Sequence, residues 1–289
     1  MAFERHGAAL LLKMIDDGVS LGRVLTLGRQ TTLLNSRDYR ALMARVGVDS
    51  VPPMPTFADD VLLAMGGTEV VSMDFSAYEG ATLLHDLNDP IGEELRESFD
   101  LVFEGGTLEH VFEFPVAIAS CMRLLRQGGR LVAVTPANSW CGHGFYQFSP
   151  ELFFRLLGPD NGFSVVEMYV ALSDGRCYRV SDPEALRERV ELRGRHPALL
   201  LVHARRDEVR EVLAQQTFQS DYSSLWNGNV YSVSADAKLP AWARHESLRR
   251  LLEKAPAQVM LRAFLQRYRD RRWASLSNRL VYRKVNLKI

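Results

Sequence analysis

The sequence predicts an α/β protein built on a mostly parallel sheet, and two observations lead to this fold class. Short apolar runs ending in glycine or an acid alternate with segments of helical length up to about residue 205. Such alternation forms βαβ units with right-handed crossovers, so helices cover the sheet. With 289 residues, 47% of them hydrophobic and 24% charged, the chain can bury a full core.

The first part of the chain contains one strand between helical segments. A helix is predicted over about residues 3–15, and a buried strand at 23–28 ends in Gly28. A second helical segment covers about residues 31–46. The prolines at 51–55 then interrupt regular structure, because proline lacks an N–H donor and restricts the residue before it. A short helix is predicted near residues 57–65.

The middle of the chain supplies the other strands. They are predicted at residues 69–74, 81–86, 100–104 and 130–135. A helix through 117–126 is expected to stop at Gly128 and Gly129, and Ser149 caps a helix with Pro150 in its first turn. Residues 163–171 and 197–202 lack a clear helix between them. They are therefore expected to form an antiparallel pair at the sheet edge.

Charge divides the chain into two parts. The net charge is zero, but residues 205–289 contain 17 basic and 8 acidic residues. We therefore predict one domain at 1–204 and a basic, partly helical appendage at 205–289. A basic helix over 255–280 either rests on an anionic membrane or an acidic partner, or packs its apolar side on the core. No groove-binding or stacking motif is present, so no nucleic-acid partner is expected.

The cysteines, histidines and hydropathy pattern limit the classes of protein to which the chain can belong. The three cysteines are odd in number and lack C-x-x-C spacing, which argues against a disulfide framework or a cysteine-built zinc site. The seven histidines are scattered, and no metal site is predicted. No apolar run reaches the length of a membrane span, and the acids near the N-terminus favour a helix over a signal peptide. A cytoplasmic location is expected.

Ligands of open parallel sheets bind beyond the carboxyl ends of the strands. At these positions Gly28 would let the backbone approach a ligand. Asp74 could accept both hydroxyls of a ribose, or act as a cap or turn residue. Asp86 could accept a hydrogen bond from an exocyclic amine, or belong to a turn. Glu104, followed by Gly105, could contact the polar tail of a cofactor or act as a base.

The segment 140–148 is the most unusual part of the chain. Glycines flank His143, which is our candidate base, and Phe145, Tyr146 and Phe148 could form the wall of an apolar substrate pocket. Alternatively, the aromatic side chains fill the core and His143 is only hydrogen-bonded. His110 and Glu104 are the reserve candidates for the base.

These residues resemble the class I S-adenosylmethionine-dependent methyltransferase superfamily over roughly residues 20–205. The matching stretches are 24–28, 70–74, 85–87, 99–111 and 124–132. The resemblance implies a Rossmann-like, seven-stranded sheet with an antiparallel last strand and helices on both faces. It also implies S-adenosylmethionine lying across the strand ends. The implied contacts are Gly28 with the methionine part, Asp74 with the ribose, and Asp86 and Leu87 with the adenine. Glu104 would lie near the methionine part or the reacting centre. The other implied cofactor-binding residues are Arg29, Gln30 and Gly105.

The first loop departs from the pattern of that superfamily. Only Gly28 remains of its glycines, Thr26 replaces its acid, and Arg29 and Gln30 add bulk. We predict a methyltransferase that acts on a small molecule or sugar, at oxygen. The alternative is a non-catalytic binding or scaffold protein with the same fold. A nicotinamide-dependent dehydrogenase is disfavoured because the G-x-G-x-x-G turn is missing. The prediction requires a shared crevice that Arg29 and Gln30 do not fill.

Overall fold

The computed structural model describes residues 2–187, 189–194, 196–222 and 274–289. Helices and strands alternate through most of this range, as expected for an α/β protein. The helices are α1 Arg5–Asp16, α2 Ser36–Arg45, α3 Asp59–Ala64, α4 Phe114–Leu124, α5 Pro150–Leu156 and α6 Pro183–Leu186. The strands are β1 Ala2–Glu4, β2 Gly22–Leu27, β3 Thr31–Leu33, β4 Gly67–Asp74, β5 Leu83–Leu84, β6 Phe99–Gly105, β7 Leu125–Asn138, β8 Phe163–Leu172, β9 Cys177–Val180, β10 Ala198–Arg206 and β11 Tyr282–Val285.

The main sheet has the strand order β11-β9-β8-β10-β7-β6-β2-β4-β5. Strands β5, β4, β2, β6 and β7 run parallel, and β10 is antiparallel to both of its neighbours. The Rossmann-like fold and the antiparallel pairing of the two late strands are confirmed. The described residues form nine strands rather than seven in this sheet, because β9 and β11 continue it beyond β8. The pair β8–β10 therefore lies inside the sheet and not at its edge.

Helices cover both faces of the sheet because neighbouring strand residues point to opposite sides. On one face, side chains of α1, α2 and α3 pack with Val24 and Leu101. On the other face, α4 and α5 pack with Leu25 and Val102. This alternation produces two apolar cores, each enclosed between the sheet and a layer of helices.

The parallel strands end level with one another. Leu27 of β2 lies opposite Met73 of β4 and Glu104 of β6, and Glu104 lies opposite Ala133 of β7. We call this side of the sheet the carboxyl edge, defined by the ends of β5, β4, β2, β6 and β7. Residues that follow these strands are therefore brought to the same side of the molecule, as the strand-end rule requires.

The segment predicted as a helix over 31–46 divides into a strand and a helix. Thr31–Leu33 pairs in parallel with Ala2–Glu4 in a separate two-stranded sheet. The helix α2 begins only after Asn35, whose Oδ1 accepts hydrogen bonds from the N–H groups of Arg37 (3.0 Å) and Asp38 (2.9 Å). Asparagine is a strong N-cap, and the preceding threonines favour an extended backbone.

The C-terminal end returns to the main sheet. Strand β11 pairs with β9, and Tyr282 is buried in the core with its hydroxyl donating to the carbonyl of Glu191 (2.8 Å). The boundary predicted at residue 204 lies inside β10. Most of the basic helix predicted at 255–280 lies outside the described residues. The membrane or acidic partner predicted for that helix therefore stays a prediction. Among the helices that the structure does describe, none has the length and apolar character to cross a bilayer.

Candidate functional site at the carboxyl edge

Glu104 at the end of β6 holds the following loop against the sheet. Its Oε1 accepts hydrogen bonds from the N–H groups of Thr107 (2.5 Å) and Leu108 (3.2 Å). The Thr107 hydroxyl in turn donates to the carbonyl of Leu27 at the end of β2 (2.6 Å). Glu104 is completely buried, and its Oε2 has no hydrogen-bond partner among the described residues. Burial, together with the charge of Glu109, raises the pKa of Glu104.

The space beside Gly105 is filled by Gln30. The Gln30 side chain is 1% exposed, and its Nε2 donates to the carbonyl of Leu27 (2.5 Å). A Cβ on Gly105 would overlap Oε1 of Gln30 and would lie 2.8 Å from the carbonyl oxygen of Ala2 in β1. The sequence therefore needs glycine at this position because Gln30 and β1 approach so closely. A cofactor that reaches Gly105 requires the Gln30 side chain to move.

The other two residues of the first loop do not fill the same space. The N–H of Gly28 donates to the carbonyl of Met73 (2.6 Å) and joins the ends of β2 and β4. The Arg29 guanidinium lies 4.2 Å from the centre of the Phe57 ring and donates to the carbonyl of Glu79 (2.5 Å). This cation–π contact and hydrogen bond direct Arg29 toward the loop after β4.

Asp74 and Asp86 each form a turn in the structure. Oδ1 of Asp74 accepts the N–H of Ser76 (3.1 Å). Oδ1 of Asp86 accepts the backbone N–H and the side-chain Nδ2 of Asn88 (2.9 and 2.8 Å), and these hydrogen bonds lower the pKa of Asp86. Leu87 packs in the core. The structure thus contains the turns that were the alternative interpretation, and the ribose and adenine contacts stay predictions.

Glu109, His110 and His143 meet at the carboxyl edge, and we call them the His–Glu cluster. Oε1 of Glu109 lies 3.6 Å from Nε2 of His143 and 3.9 Å from Nε2 of His110. The two imidazole rings are 5.3 Å apart between their centres. Glu109 is buried beneath them, whereas both histidine side chains are 47% exposed. The structure thus brings together both histidines that the sequence offered as bases.

Backbone contacts between two loops position this cluster. Glu109 and His110 belong to a 3-10 turn at Leu108–His110. The carbonyl of Glu109 accepts hydrogen bonds from the N–H groups of Phe145 (2.7 Å) and Tyr146 (3.3 Å). A Cβ on Gly144 would lie 2.7 Å from that same carbonyl oxygen. The segment 140–148 therefore packs directly on the loop after β6, and this packing brings His143 to Glu109.

Burial sets the electrostatics of the His–Glu cluster. Burial raises the pKa of Glu109, and its Oε2 has no hydrogen-bond partner within the part of the chain that the structure describes. Burial and the neighbouring His143 lower the pKa of His110. A lowered pKa keeps the His110 imidazole neutral at pH 7, so one ring nitrogen can accept a proton or bind a metal. Glu109 was not among the site residues predicted from the sequence, because its place under the two histidines depends on the packing of two loops.

The aromatic residues of segment 140–148 are divided between surface and core. Phe148 is buried and packs against Phe114, with 4.8 Å between ring centres. Phe145 is exposed and lies edge-on to Phe112 at 5.6 Å. Tyr146 donates its hydroxyl to the carbonyl of Phe112 (2.6 Å). Phe148 therefore belongs to the core, and Phe145 is the aromatic side chain left at the surface beside the cluster.

Comparison with protein families finds a match in the middle of the chain. Residues 46–133 match the family model described as a methyltransferase domain. The match agrees with the superfamily that the sequence resembles, and it supports an S-adenosylmethionine-dependent methyltransferase. The matched residues begin after β2, so the methyltransferase match does not include Gly28, Arg29 and Gln30.

Solved structures of several methyltransferases are similar to this chain. The 1,6-didemethyltoxoflavin N1-methyltransferase of Burkholderia thailandensis is 17% identical, with 70% of this chain and 77% of that chain covered and a TM-score of 0.39. The N-methyltransferase NodS of Bradyrhizobium japonicum is 15% identical, with 70% and 87% covered and a TM-score of 0.41. A methyltransferase of unassigned substrate from Bacillus halodurans is 13% identical, with 68% and 99% covered and a TM-score of 0.40. No curated protein sequence matches the chain.

Proposed function

We propose that this chain transfers the methyl group of S-adenosylmethionine to an oxygen atom of a small molecule or sugar. The observation that supports this proposal is the His–Glu cluster beside the methyltransferase strand ends. Methylation of a hydroxyl group requires a nearby base, and a neutral imidazole can accept that proton. A carboxylate behind the imidazole, here Glu109, stabilises the imidazolium that results.

His143 is the proposed base, and His110 is the first reserve. Both side chains are exposed to solvent on one side and contact Glu109 on the other. Glu104, the second reserve, is less suited to this role because its carboxylate accepts two backbone N–H groups inside the protein. A base must come within hydrogen-bond distance of the proton that it removes, and the exposed sides of both histidines leave them accessible to an acceptor at the carboxyl edge.

The test of the base is the rate of methyl transfer from labelled S-adenosylmethionine to a panel of hydroxylated small molecules and sugars. His143→Ala should lower turnover by about 10²–10⁴-fold, the usual contribution of a positioned base. Binding of S-adenosylhomocysteine, measured by calorimetry, should change little. His196→Ala is the matched control, because His196 is also half-exposed and lies 3.5 Å from a carboxylate of Asp174. Unchanged turnover in His143→Ala would exclude His143 as the base.

The second candidate function is a non-catalytic binding or scaffold protein, and Gln30 is the observation that favours it. The buried Gln30 side chain occupies the space beside Gly105, where the resemblance places the methionine part of the cofactor. The residues as they lie do not accommodate that part of the cofactor. The enzyme proposal therefore requires Gln30 to leave its hydrogen bond with Leu27 when the cofactor binds.

Calorimetric titration with S-adenosylhomocysteine separates the two candidates. The wild type should bind if the chain is an enzyme, whereas a scaffold should give no heat at millimolar ligand. Gln30→Ala removes the blocking carboxamide, and Gln127→Ala, which changes an exposed glutamine, is its control. Binding that appears only in Gln30→Ala would show a closed site in the natural chain and favour the scaffold.

A further inference from the structure

The His–Glu cluster has the composition of a metal site. It offers two imidazole nitrogens and one carboxylate oxygen, and the three ligand atoms lie within 4.8 Å of one another. Zinc and other divalent transition metals prefer this mixture of ligands, and sites of this kind keep further coordination positions for water or substrate. We infer that Glu109, His110 and His143 bind one divalent transition-metal ion, with Zn²⁺ as the representative ion.

The measured separations are close to those of a bound site. Ligand bonds of about 2.0–2.1 Å in a tetrahedral zinc site place neighbouring ligand atoms roughly 3.3 Å apart. Oε1 of Glu109 lies 3.6 Å from Nε2 of His143 and 3.9 Å from Nε2 of His110. Small rotations of the two half-exposed imidazoles would bring the three atoms to bonding geometry, while buried Glu109 keeps its place.

The buried carboxylate of Glu109 independently indicates a cation. Glu109 is 1% exposed, and its Oε2 has no hydrogen-bond partner among the described residues. An ionised carboxylate buried without a full set of partners is costly, and a bound cation would offset that cost. Oε1 of the same carboxylate lies 3.6 Å from Nε2 of His143 and 3.9 Å from Nε2 of His110, so a cation bound by this carboxylate would contact the ring nitrogens as well.

The sequence alone gave no sign of this site. His110 and His143 are far apart along the chain and form no ligand motif, so the prediction was that no metal is bound. They meet because the backbone N–H groups of Phe145 and Tyr146 bind the carbonyl of Glu109. Tertiary packing of two loops therefore creates the ligand set.

Metal binding at this cluster does not require methyl transfer. In the metal-loaded protein, however, the metal would replace His143 as the group that activates the acceptor, because a ring nitrogen bound to a metal cannot also accept a proton. An open coordination position can take an oxygen atom of the acceptor, and a bound metal lowers the pKa of such an oxygen. This second role rests on the proposed function, whereas the metal site itself does not.

The test is calorimetric titration of the full-length, chelator-treated protein with Zn²⁺, in the absence of cofactor and acceptor. We expect one ion per chain. His110→Ala and His143→Ala should each weaken binding by more than about 100-fold, because even partners outside the ligand shell contribute about 10–100-fold. His196→Ala is the control and should bind like the wild type, since Asp174 is the one carboxylate paired with His196 among the described residues.

Cobalt provides a second readout of the same site. Co²⁺ bound by imidazole and carboxylate ligands gives visible absorption bands, which should be present in the wild type and in His196→Ala and lost in both cluster variants. Circular dichroism should show that the variants, which alter half-exposed side chains, keep the fold. The inference is overturned if Zn²⁺ does not bind, if both cluster variants bind it as the wild type does, or if His196→Ala loses it equally. Because no cofactor is present, failure here leaves the methyltransferase proposal standing.

Discussion

Two regions of the molecule each contain a buried glutamate, and the pKa of the carboxyl is lowered in one region and raised in the other. Glu167 of β8 lies between α1 and β10, where it accepts a hydrogen bond from the Tyr169 hydroxyl (2.5 Å). Nζ of Lys13 lies 3.2 Å from its carboxylate, and Nδ1 of His203 lies 3.5 Å away. Burial alone would raise the pKa of Glu167, but His203, Tyr169 and Lys13 lower it to about 2.

Glu104 at the carboxyl edge has no such cationic partner within the described residues. It accepts hydrogen bonds from backbone N–H groups, and the neighbouring side chain that contributes to its pKa shift is another acid, Glu109. The pKa of Glu104 is therefore raised. Partnered acids support a fold, whereas acids that stay buried without a cation concentrate at functional sites. The comparison thus separates a structural glutamate from those at the carboxyl edge.

The largest effect is expected when the buried acceptor at the carboxyl edge is removed. Glu104→Ala leaves the N–H groups of Thr107 and Leu108 without their acceptor and opens a cavity in the core. We expect a loss of about 3 kcal/mol in the free energy of unfolding, because each unsatisfied buried donor costs about 1–3 kcal/mol. Urea denaturation measures this loss.

Glu104→Gln is the control for that substitution. The glutamine keeps an oxygen acceptor for both N–H groups and resembles the neutral carboxyl that the raised pKa favours, so its stability should stay within about 1 kcal/mol of the wild type. If glutamine and alanine were equally destabilising, the charge of Glu104 would be needed and the contrast with Glu167 would disappear.

The next largest effect concerns the partnered glutamate and depends on pH. The folded pKa of Glu167 is about 2, below the ordinary 4.5, so its ionised form stabilises the folded state above about pH 4.5. That contribution is lost as the pH falls toward 2. We expect Glu167→Gln to cost about 2 kcal/mol at pH 7, somewhat less than the full linkage of a shift of this size.

Urea denaturation of the wild type and Glu167→Gln between pH 7 and pH 3 measures this dependence. The difference between the two proteins should shrink as the pH falls below about 4.5. Glu69→Gln is the control, because Glu69 pairs with Arg23 at the surface and should contribute little at any pH. A difference that stays constant over the whole range would mean that the ionisation of Glu167 does not stabilise the fold.

Much of the fold could be predicted from the sequence because the central strands are apolar runs. Strands β2, β4, β6 and β7 lie where the hydrophobic pattern placed them, and Ser149 caps α5 as expected. Strands β1, β3, β9 and β11 were not predicted. Each has only three or four residues, and its extended form depends on a partner distant in the chain rather than on local preference.

The candidate site could be predicted only in part. The strand-end rule located Glu104 and His143 on one side of the sheet, because that rule depends on topology. The contact of both histidines with Glu109 depends on how segment 140–148 packs, which no spacing along the chain reveals. The bulk at Arg29 and Gln30 was visible in the sequence. The sequence did not reveal that Arg29 turns toward Phe57 or that Gln30 is buried.

The smallest effect tests whether Gln30 closes the carboxyl edge. Gly105→Ala would place a methyl group against the Gln30 carboxamide and 2.8 Å from the carbonyl oxygen of Ala2. We expect a loss of about 1–2 kcal/mol in unfolding free energy, as is usual for overpacking. Gly194→Ala is the control, because the nearest atom to its Cβ would be 4.0 Å away.

Combining Gly105→Ala with Gln30→Ala sharpens the test. Gln30→Ala removes one of the two obstacles to the new methyl group, so the double variant should lose less stability than the sum of the single losses. Some loss should persist, since the Ala2 carbonyl is still in place. Strict additivity would mean that Gln30 does not press on Gly105. The contact that closes the space beside Gly105 would then be weaker than its geometry indicates, and the main support for a non-catalytic role would be reduced.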